Sequence, residues 1–540
     1  MRKFDAVIIG AGHNGLVCAA YLAKAGLKVC AIERRPVVGG PVLSEEIWPG
    51  YKISVASFWM SLLQPKIMID LDLRRHGIEV VETPPGFQPF ADGRCLVFWP
   101  DTARMVEEIR RFSAADAEAY PRFVAHMQRL MPYLRRLLFE TPVDPTTGKF
   151  KDIAKAMTFA WRFRDIGGHL YDIWDLLTLS AYDFLRRWFE SETVLAAFGS
   201  YASGSGGYIS PKTPGSAYVL ARPLLRDPDT AAGPGGLVRG GMGAIAKALL
   251  RAAVEAGATV LTDRDVVQID ITDGRARGVT LADGEAILSG IVIANADAKS
   301  LFLRLIDRKW LSEDIVSAAQ RIRTESNCFK INLAARALPR WTSYDARRLN
   351  NPDPGSITIA ENLEELESAF ESARHGRMAE RPYLWILTPS AFDATVSPSG
   401  QHVLSVFGGH VPYRLKDRDW DDAARMELYS IVMRQICRYA PGFDEYVTHK
   451  QILVPPDLER LFSLPGGHVH HGELSLDQIF FRRPMAHYAD YRTPIANLYM
   501  CGASTHPGGG VTGVPGHNAA REILKDMGRE SHHDYALASR

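Results

Sequence analysis

Three glycines, one carboxylate and a few histidines are the residues of this 540-residue chain whose types and spacing could do chemistry. Gly10, Gly12 and Gly15 stand in Gly10-Ala11-Gly12-His13-Asn14-Gly15, and Glu33 follows on the far side of a helical pattern. In such a pattern the first glycine allows a tight turn, the second lets the backbone approach a pyrophosphate, and the third lets a helix pack close to a strand. An acid about twenty residues further on can accept hydrogen bonds from a ribose diol. The chemistry implied is the holding of a dinucleotide. His471 and His506 are candidates for general acid or base, with structural hydrogen bonding as the alternative role. His468, His470 and His471 cluster in sequence, but no acid or cysteine is spaced to complete a metal site with them, so no metal is expected. His13 lies in the phosphate turn and reads as cofactor packing.

The elements that must position these residues are legible on either side. Asp5 to Ile9 is an apolar run rich in β-branched residues, as in a strand buried on both faces. Leu16 to Ala25 reads as a helix whose N-terminus offers free N–H groups and a positive dipole end to phosphates. Lys28 to Ile32 is a second strand, ending on Glu33. Seven residues past Glu33 comes Gly39-Gly40. Arg34 could neutralise phosphate, stack near an adenine, or simply be solvated.

Composition excludes several classes. Lys+Arg 63 against Asp+Glu 62 gives a net charge of +1, which leaves no electrostatic footprint for nucleic acid. No run of eighteen apolar residues appears, so no membrane span is expected. The first strand begins at once, and no targeting peptide is expected. Six scattered cysteines without a CxxC suit a reducing, cytoplasmic setting and count against a disulfide reductase. A second complete GxGxxG for a nicotinamide cofactor is also missing: Gly241-Met242-Gly243 lacks the third glycine and follows a loop.

Between the ends, Leu62 to His76 reads as a helix stopped by Gly77, and Ile78 to Glu82 and Cys95 to Trp99 read as strands. Ala103 to Phe139 is helical, divided at Pro121. Thr141 to Gly148 is a loop. Asp152 to Phe189 is helical and aromatic, either burying its own stripe or forming a greasy lid or substrate tunnel, which could also touch a membrane surface. Small-residue loops follow at 203–215 and 226–241. Ala244 to Ala256 is a helix, and then come strand Thr259–Leu261 and strand Val266–Ile271. Asp273-Gly274 and Asp283-Gly284 turn hairpins. Ile291 to Ala296 is a buried strand. Strands at 356–360, 383–387 and 402–407 and helices at 363–374 and 423–438 mark a further region. Near the end, Asn497 to Cys501 leads through Gly502-Ala503-Ser504-Thr505-His506-Pro507-Gly508-Gly509-Gly510-Val511-Thr512-Gly513-Val514 into a helix from about Pro515 to Lys525, again an arrangement that faces anions.

Glu33 to Gly40 resembles the acid-plus-double-glycine signature of flavoenzymes of the glutathione reductase class, which implies FAD. The 240–297 block, with Val266 and the strand through Ala294 to Asp297, resembles the returning half of the FAD domain in the phytoene desaturase and amine oxidase superfamily. The closing segment resembles the C-terminal signature of the carotenoid desaturase and ketolase group. The nearest branch is that of pyridine nucleotide-disulfide oxidoreductase domain-containing proteins, although this chain has no such redox pair. The resemblance implies an α/β fold: a Rossmann-type FAD-binding domain built from 1–75, 235–310 and 460–527. Inserted regions, 76–234 (helical) and 311–459 (antiparallel sheet plus helices), form an α+β substrate domain, and 528–540 is a polar tail. It implies that Gly10, Gly12, His13, Asn14, Gly15, Glu33, Arg34, Gly39, Gly40, Val266, Ala294, Gly502, Ala503, Gly510, Thr512, Gly513 and Val514 hold the cofactor. N–H groups around Thr512 to Val514 would stabilise charge on the flavin. The expected activity is dehydrogenation of a lipophilic, carotenoid-like small molecule, with hydride passing to flavin N5 and oxygen or a quinone as acceptor. An amine or alcohol oxidase, or a non-catalytic prenyl carrier of the same architecture, is the alternative. Peripheral membrane contact is an expectation; the oligomeric state is not readable.

Overall fold

A computed structural model describes residues 2–144, 146, 150–203, 209–227, 232 and 235–529. Parts of the sequence-predicted loops at 141–148, 203–207 and 226–241, and most of the polar tail, lie outside those residues. The N-terminal strand, Arg2–Ile9, is the hub of a seven-stranded sheet. It pairs in parallel with Val29–Ile32 on one side and with Ala286–Ala294 on the other. Thr259–Leu261 and Leu498–Met500 extend the parallel set, so strands from three distant stretches end on one edge near Ile9, Ile32, Ala294 and Met500. Val266–Thr272 and Arg275–Leu281 continue the sheet antiparallel, through a hairpin whose Asp273 and Gly274 both take positive φ. Alternation divides the burial of the hub strand. Ala6 and Ile8 pack into the layer of helices His13–Lys24, Gly243–Glu255 and Val514–Asp526, while Val7 and Ile9 pack with Phe302, Ile287 and Val292 on the other face.

A second seven-stranded sheet runs in the order Val447–Leu453, Cys328–Ala335, His402–Gly409, Tyr383–Leu387, Ser356–Ile359, Gly86–Pro89 and Cys95–Phe98. Every pairing is antiparallel except Ser356–Ile359 with Gly86–Pro89. Helix Asp422–Tyr439 joins its core through Leu428, Val432 and Ile436. The strands 328–335 and 447–453 are additions to those read from the sequence. In the first, Phe329, Ile331 and Leu333 alternate with Lys330 and Asn332; in the second, Thr448 to Gln451 form a polar run.

Three helical expectations change. The stretch from Leu62 to His76 is helical only over Pro65–Asp70, because the chain turns at Asp72 with φ 46 before Gly77. The long helical stretch breaks at Phe112–Ser113, where the Ser113 hydroxyl accepts the Asp116 N–H at 3.1 Å and starts Ala114–Phe139. Pro121 and Pro132 lie inside that helix and do not divide it. The aromatic stretch is four pieces: Phe150–Arg162, a 3-10 turn, Leu170–Thr178 and Ala181–Arg186. Phe163, Phe184 and Phe189 are buried, whereas Trp161, Tyr171 and Trp174 are 68%, 82% and 63% exposed. Gly241-Met242-Gly243 follows a two-residue strand, Leu237–Val238, paired with Val80–Val81. Among the described residues no helix is long and apolar enough to cross a membrane.

Candidate functional site

The two ends of the polypeptide meet. His13 Nε2 lies 3.2 Å from the Gly510 carbonyl, across 497 residues of sequence. Helices 13–24 and 514–526 touch closely enough that a Cβ on Gly516 would lie 2.1 Å from the Asn14 carbonyl oxygen. An elongated cleft runs along this junction, over the carboxyl edge of the parallel strands.

At its outer end the glycines do what their spacing requires. Gly10 turns with φ +94, and a Cβ on Gly15 would lie 2.2 Å from the Gly10 carbonyl oxygen, so helix and strand approach only because Gly15 is bare. Glu33 accepts the Ala11 N–H at 3.0 Å and the Arg35 N–H at 3.1 Å. Burial raises its carboxyl against those hydrogen bonds. Gly39 takes φ +119, and its N–H binds the Ala11 carbonyl, so the double glycine buttresses the turn. Gly10, Gly12, His13, Asn14, Glu33, Arg34, Gly40, Val266, Ala503 and Gly510 line the cleft. Gly15, Gly39, Ala294, Gly502, Thr512, Gly513 and Val514 stand behind it as packing. Gly502 leaves room for the Asn295 carbonyl, Thr512 O accepts the Gln64 N–H, and the Val514 N–H is bound to Thr512 Oγ1.

The inner end widens against the second sheet. Phe58, Tyr201, Trp385 and Phe407 form a wall, with ring centroids 5.1 Å apart for Phe58–Trp385 and 5.4 Å for Phe58–Phe407. Behind it Lys330 is fully buried, 5.1 Å from the Phe58 ring, its ammonium bonded to Asn332 Oδ1 at 2.5 Å and to Ser405 Oγ. Burial pushes its pKa down to about 7. His470, His471 and Arg222 close the chamber. His471 sits at φ 56 with Nδ1 unbonded, and burial, then the Arg483 guanidinium, push it down to about 4. It is a neutral imidazole at ordinary pH. His506 is elsewhere: Nε2 donates to the Leu137 carbonyl at 2.8 Å, and the ring packs against Phe480 away from the cleft lining. Arg222, Lys330 and the aromatic wall carried no sequence signal, since each is an isolated residue in an ordinary helix, strand or loop.

An extended dinucleotide fits this cleft. Asn14 Oδ1 is buried and unbonded at the helix start, Gly12 presents bare backbone, and Glu33 lines the cleft at the end of the second strand. A two-sheet fold with such a cleft is the architecture of flavin-dependent oxidoreductases. The chain belongs to the flavin containing amine oxidoreductase family, whose model matches residues 15–524. It is 37% identical over 97% of its length to the mouse pyridine nucleotide-disulfide oxidoreductase domain-containing protein 2, covering 94% of that protein. It is 27% identical to a limonene dehydrogenase polypeptide of Castellaniella defragrans, over 98% of this chain and 96% of that one. A solved oxidoreductase from Methanosarcina mazei shares the fold with a TM-score of 0.60 at 16% identity, over 97% and 100% of the two chains. The cofactor is FAD, and the protein is an FAD-dependent oxidoreductase.

The geometry of the outer end makes flavin retention a direct readout. Gly12→Val fills the approach to the pyrophosphate and is expected to give a colourless protein, and Glu33→Ala a weakly yellow one; flavin absorbance per mole of purified protein measures both. Lys330 is neutral in the native state above about pH 7 and protonated in the unfolded chain up to about pH 10.4. Folding therefore excludes a proton in that window, and stability from this residue rises with pH. Lys330→Met removes the slope, so wild-type minus variant unfolding free energy should increase by about 2 kcal/mol between pH 7 and 9 in urea titrations.

Proposed function

We propose that this oxidoreductase dehydrogenates a lipophilic, polyene-like small molecule seated in the inner chamber, with oxygen or a quinone as the final acceptor. The observation that carries the reading is the wall of Phe58, Tyr201, Trp385 and Phe407 at the inner end of the cofactor cleft. Such a wall takes up extended apolar surface and excludes water from the reacting carbon. FAD, when bound, supplies the hydride acceptor; the chain supplies orientation. His471, neutral and facing the cleft, accepts or donates one hydrogen bond there, and its low basicity suits a positioning group better than a base. The limonene dehydrogenase relative and the resemblance to phytoene desaturases point to the same hydrocarbon chemistry. The acids among the cleft residues, Glu33, Asp265 and Asp297, belong to the nucleotide-end elements, which leaves an ammonium group of an amine substrate without a counter-charge at the wall. A carrier without flavin would have no use for intact glycines.

The decisive experiment mixes the holoprotein anaerobically with a panel of terpenoids, polyenes and amines and follows flavin bleaching. Apolar substrates should bleach it and amines should not. His471→Ala should slow bleaching severalfold, and the wild-type rate should show no step near pH 6.5.

Arrival from a lipid surface is supported by an exposed apolar face. Ile153, Met157 and Trp161 recur every four residues on helix 150–162, beside exposed Leu170, Tyr171 and Trp174 on helix 170–178, with Lys155, Arg162 and Arg164 on the flank. The pair Trp161→Glu and Trp174→Glu should release the protein from sedimenting phosphatidylglycerol vesicles at unchanged flavin content; wild type that stays in the supernatant sinks the idea.

A further inference from the structure

Arg222 brings a charge into the chamber that hydride transfer from a hydrocarbon does not need. It opens the 3-10 turn Arg222–Leu225 and is only 6% exposed, yet it lines the cleft. Its guanidinium touches the Gly509 carbonyl and lies 3.3 Å from His470 Nε2. Among the described residues no carboxylate lies within ion-pair distance of it. The bare α-carbon of Gly510 makes its space, since a Cβ there would lie 3.1 Å from Arg222 Nη2. Arg483 is equally buried, and burial, then the charge of Arg222, depress its ionisation. It spends its own N–H groups on the carbonyls of His470, Glu473, Gln478 and Ala503. Among the described residues, two guanidinium groups thus share one buried region without a counter-ion. An unpaired buried cation is costly, and a fork of N–H donors facing a cavity matches a planar carboxylate.

Burial raises the phenol of Tyr201, in the aromatic wall, and the same Arg222 cation lies close enough to oppose that rise. One side of the chamber is therefore apolar and one edge is a charged fork. We propose that the substrate is a lipophilic acid: an apolar chain or polyene body against the wall, and a carboxylate paired with Arg222. This rests on the reading of the chamber as the substrate site and narrows it to acids. It also gives a physical reason for excluding ammonium substrates, which the fork repels.

The test uses the FAD-loaded full chain and three probes that differ only in head group, oleate, oleyl alcohol and oleylamine, below their aggregation concentrations. Binding is read from tryptophan quenching, since Trp59 and Trp385 line the cleft, and from shifts of the flavin absorbance band. Wild type should bind oleate at least tenfold more tightly than the alcohol, and the amine most weakly. Arg222→Gln should bring oleate and alcohol within twofold of each other, and Arg222→Lys should keep a reduced preference. Equal binding of acid and alcohol by wild type overturns the proposal, and so does a preference that survives Arg222→Gln. A third overturning result is an unchanged ratio in Arg222→Gln with an altered flavin midpoint potential, which assigns the cation to the cofactor. If Arg222→Gln does not fold, oleate against methyl oleate on wild type decides: a tenfold gap supports the pairing, and equality ends it. Failure of the substrate-site reading looks different, because then no probe perturbs the flavin band at all.

Discussion

Backbone meeting backbone at the junction of the two chain ends is the constraint on which the rest of the architecture depends. The turn at Gly10, the helix start at Gly15 and the crossing at Gly516 bring main-chain atoms so close that a Cβ on Gly15 or Gly516 would stand about 2 Å from a carbonyl oxygen. Those approaches bring Ile9, Ile32, Ala294 and Met500 to one edge and leave a slot above them. Substituting any of them moves the helices apart and opens the slot, so cofactor affinity and helix packing are one property here.

The cleft is also graded in polarity. The outer end carries charged side chains of both signs, Glu33, Asp265 and Asp297 beside Arg34, Arg35, Arg264 and Arg304; aromatic rings dominate the inner end, and Arg222 closes it. A ligand with one polar and one apolar end meets matching surroundings along such a slot. Neutral histidines fit that scheme, because burial and nearby guanidinium groups remove their protons and leave them as hydrogen-bonding partners.

Legibility in the sequence followed locality. Gly10 to Glu33 could be read because strand, turn, helix and acid are consecutive, and the turn at Asp273-Gly274 because positive φ has a compositional signature. Thr512, Gly513 and Val514 were assigned to the cofactor from a resembling motif, whereas the structure places them behind the cleft wall, with the Val514 N–H taken by the Thr512 hydroxyl. His506 is a candidate acid or base in the Thr-His-Pro-Gly turn, but the fold turns it toward Leu137. The chamber could not be read at all. Phe58, Tyr201, Arg222 and Trp385 belong to four separate stretches, a loop, two helical elements and a strand, and only the tertiary fold brings them together.

The second sheet carries a further consequence, for biosynthesis. Gln88 reaches the Ala360 carbonyl at 2.7 Å over 272 residues, and in the other sheet the hub strand awaits Ala286–Ala294, against which Leu498–Met500 later completes the parallel set. At ribosomal speeds of about 5–20 residues per second, the first strand emerges roughly a quarter of a minute to a minute before its second neighbour exists. Through that interval its apolar residues and unpaired edge are open to other chains. Yield in a heterologous host is therefore set by what shields the nascent N-terminal half, and late supply of FAD cannot rescue chains lost before the final helix is made.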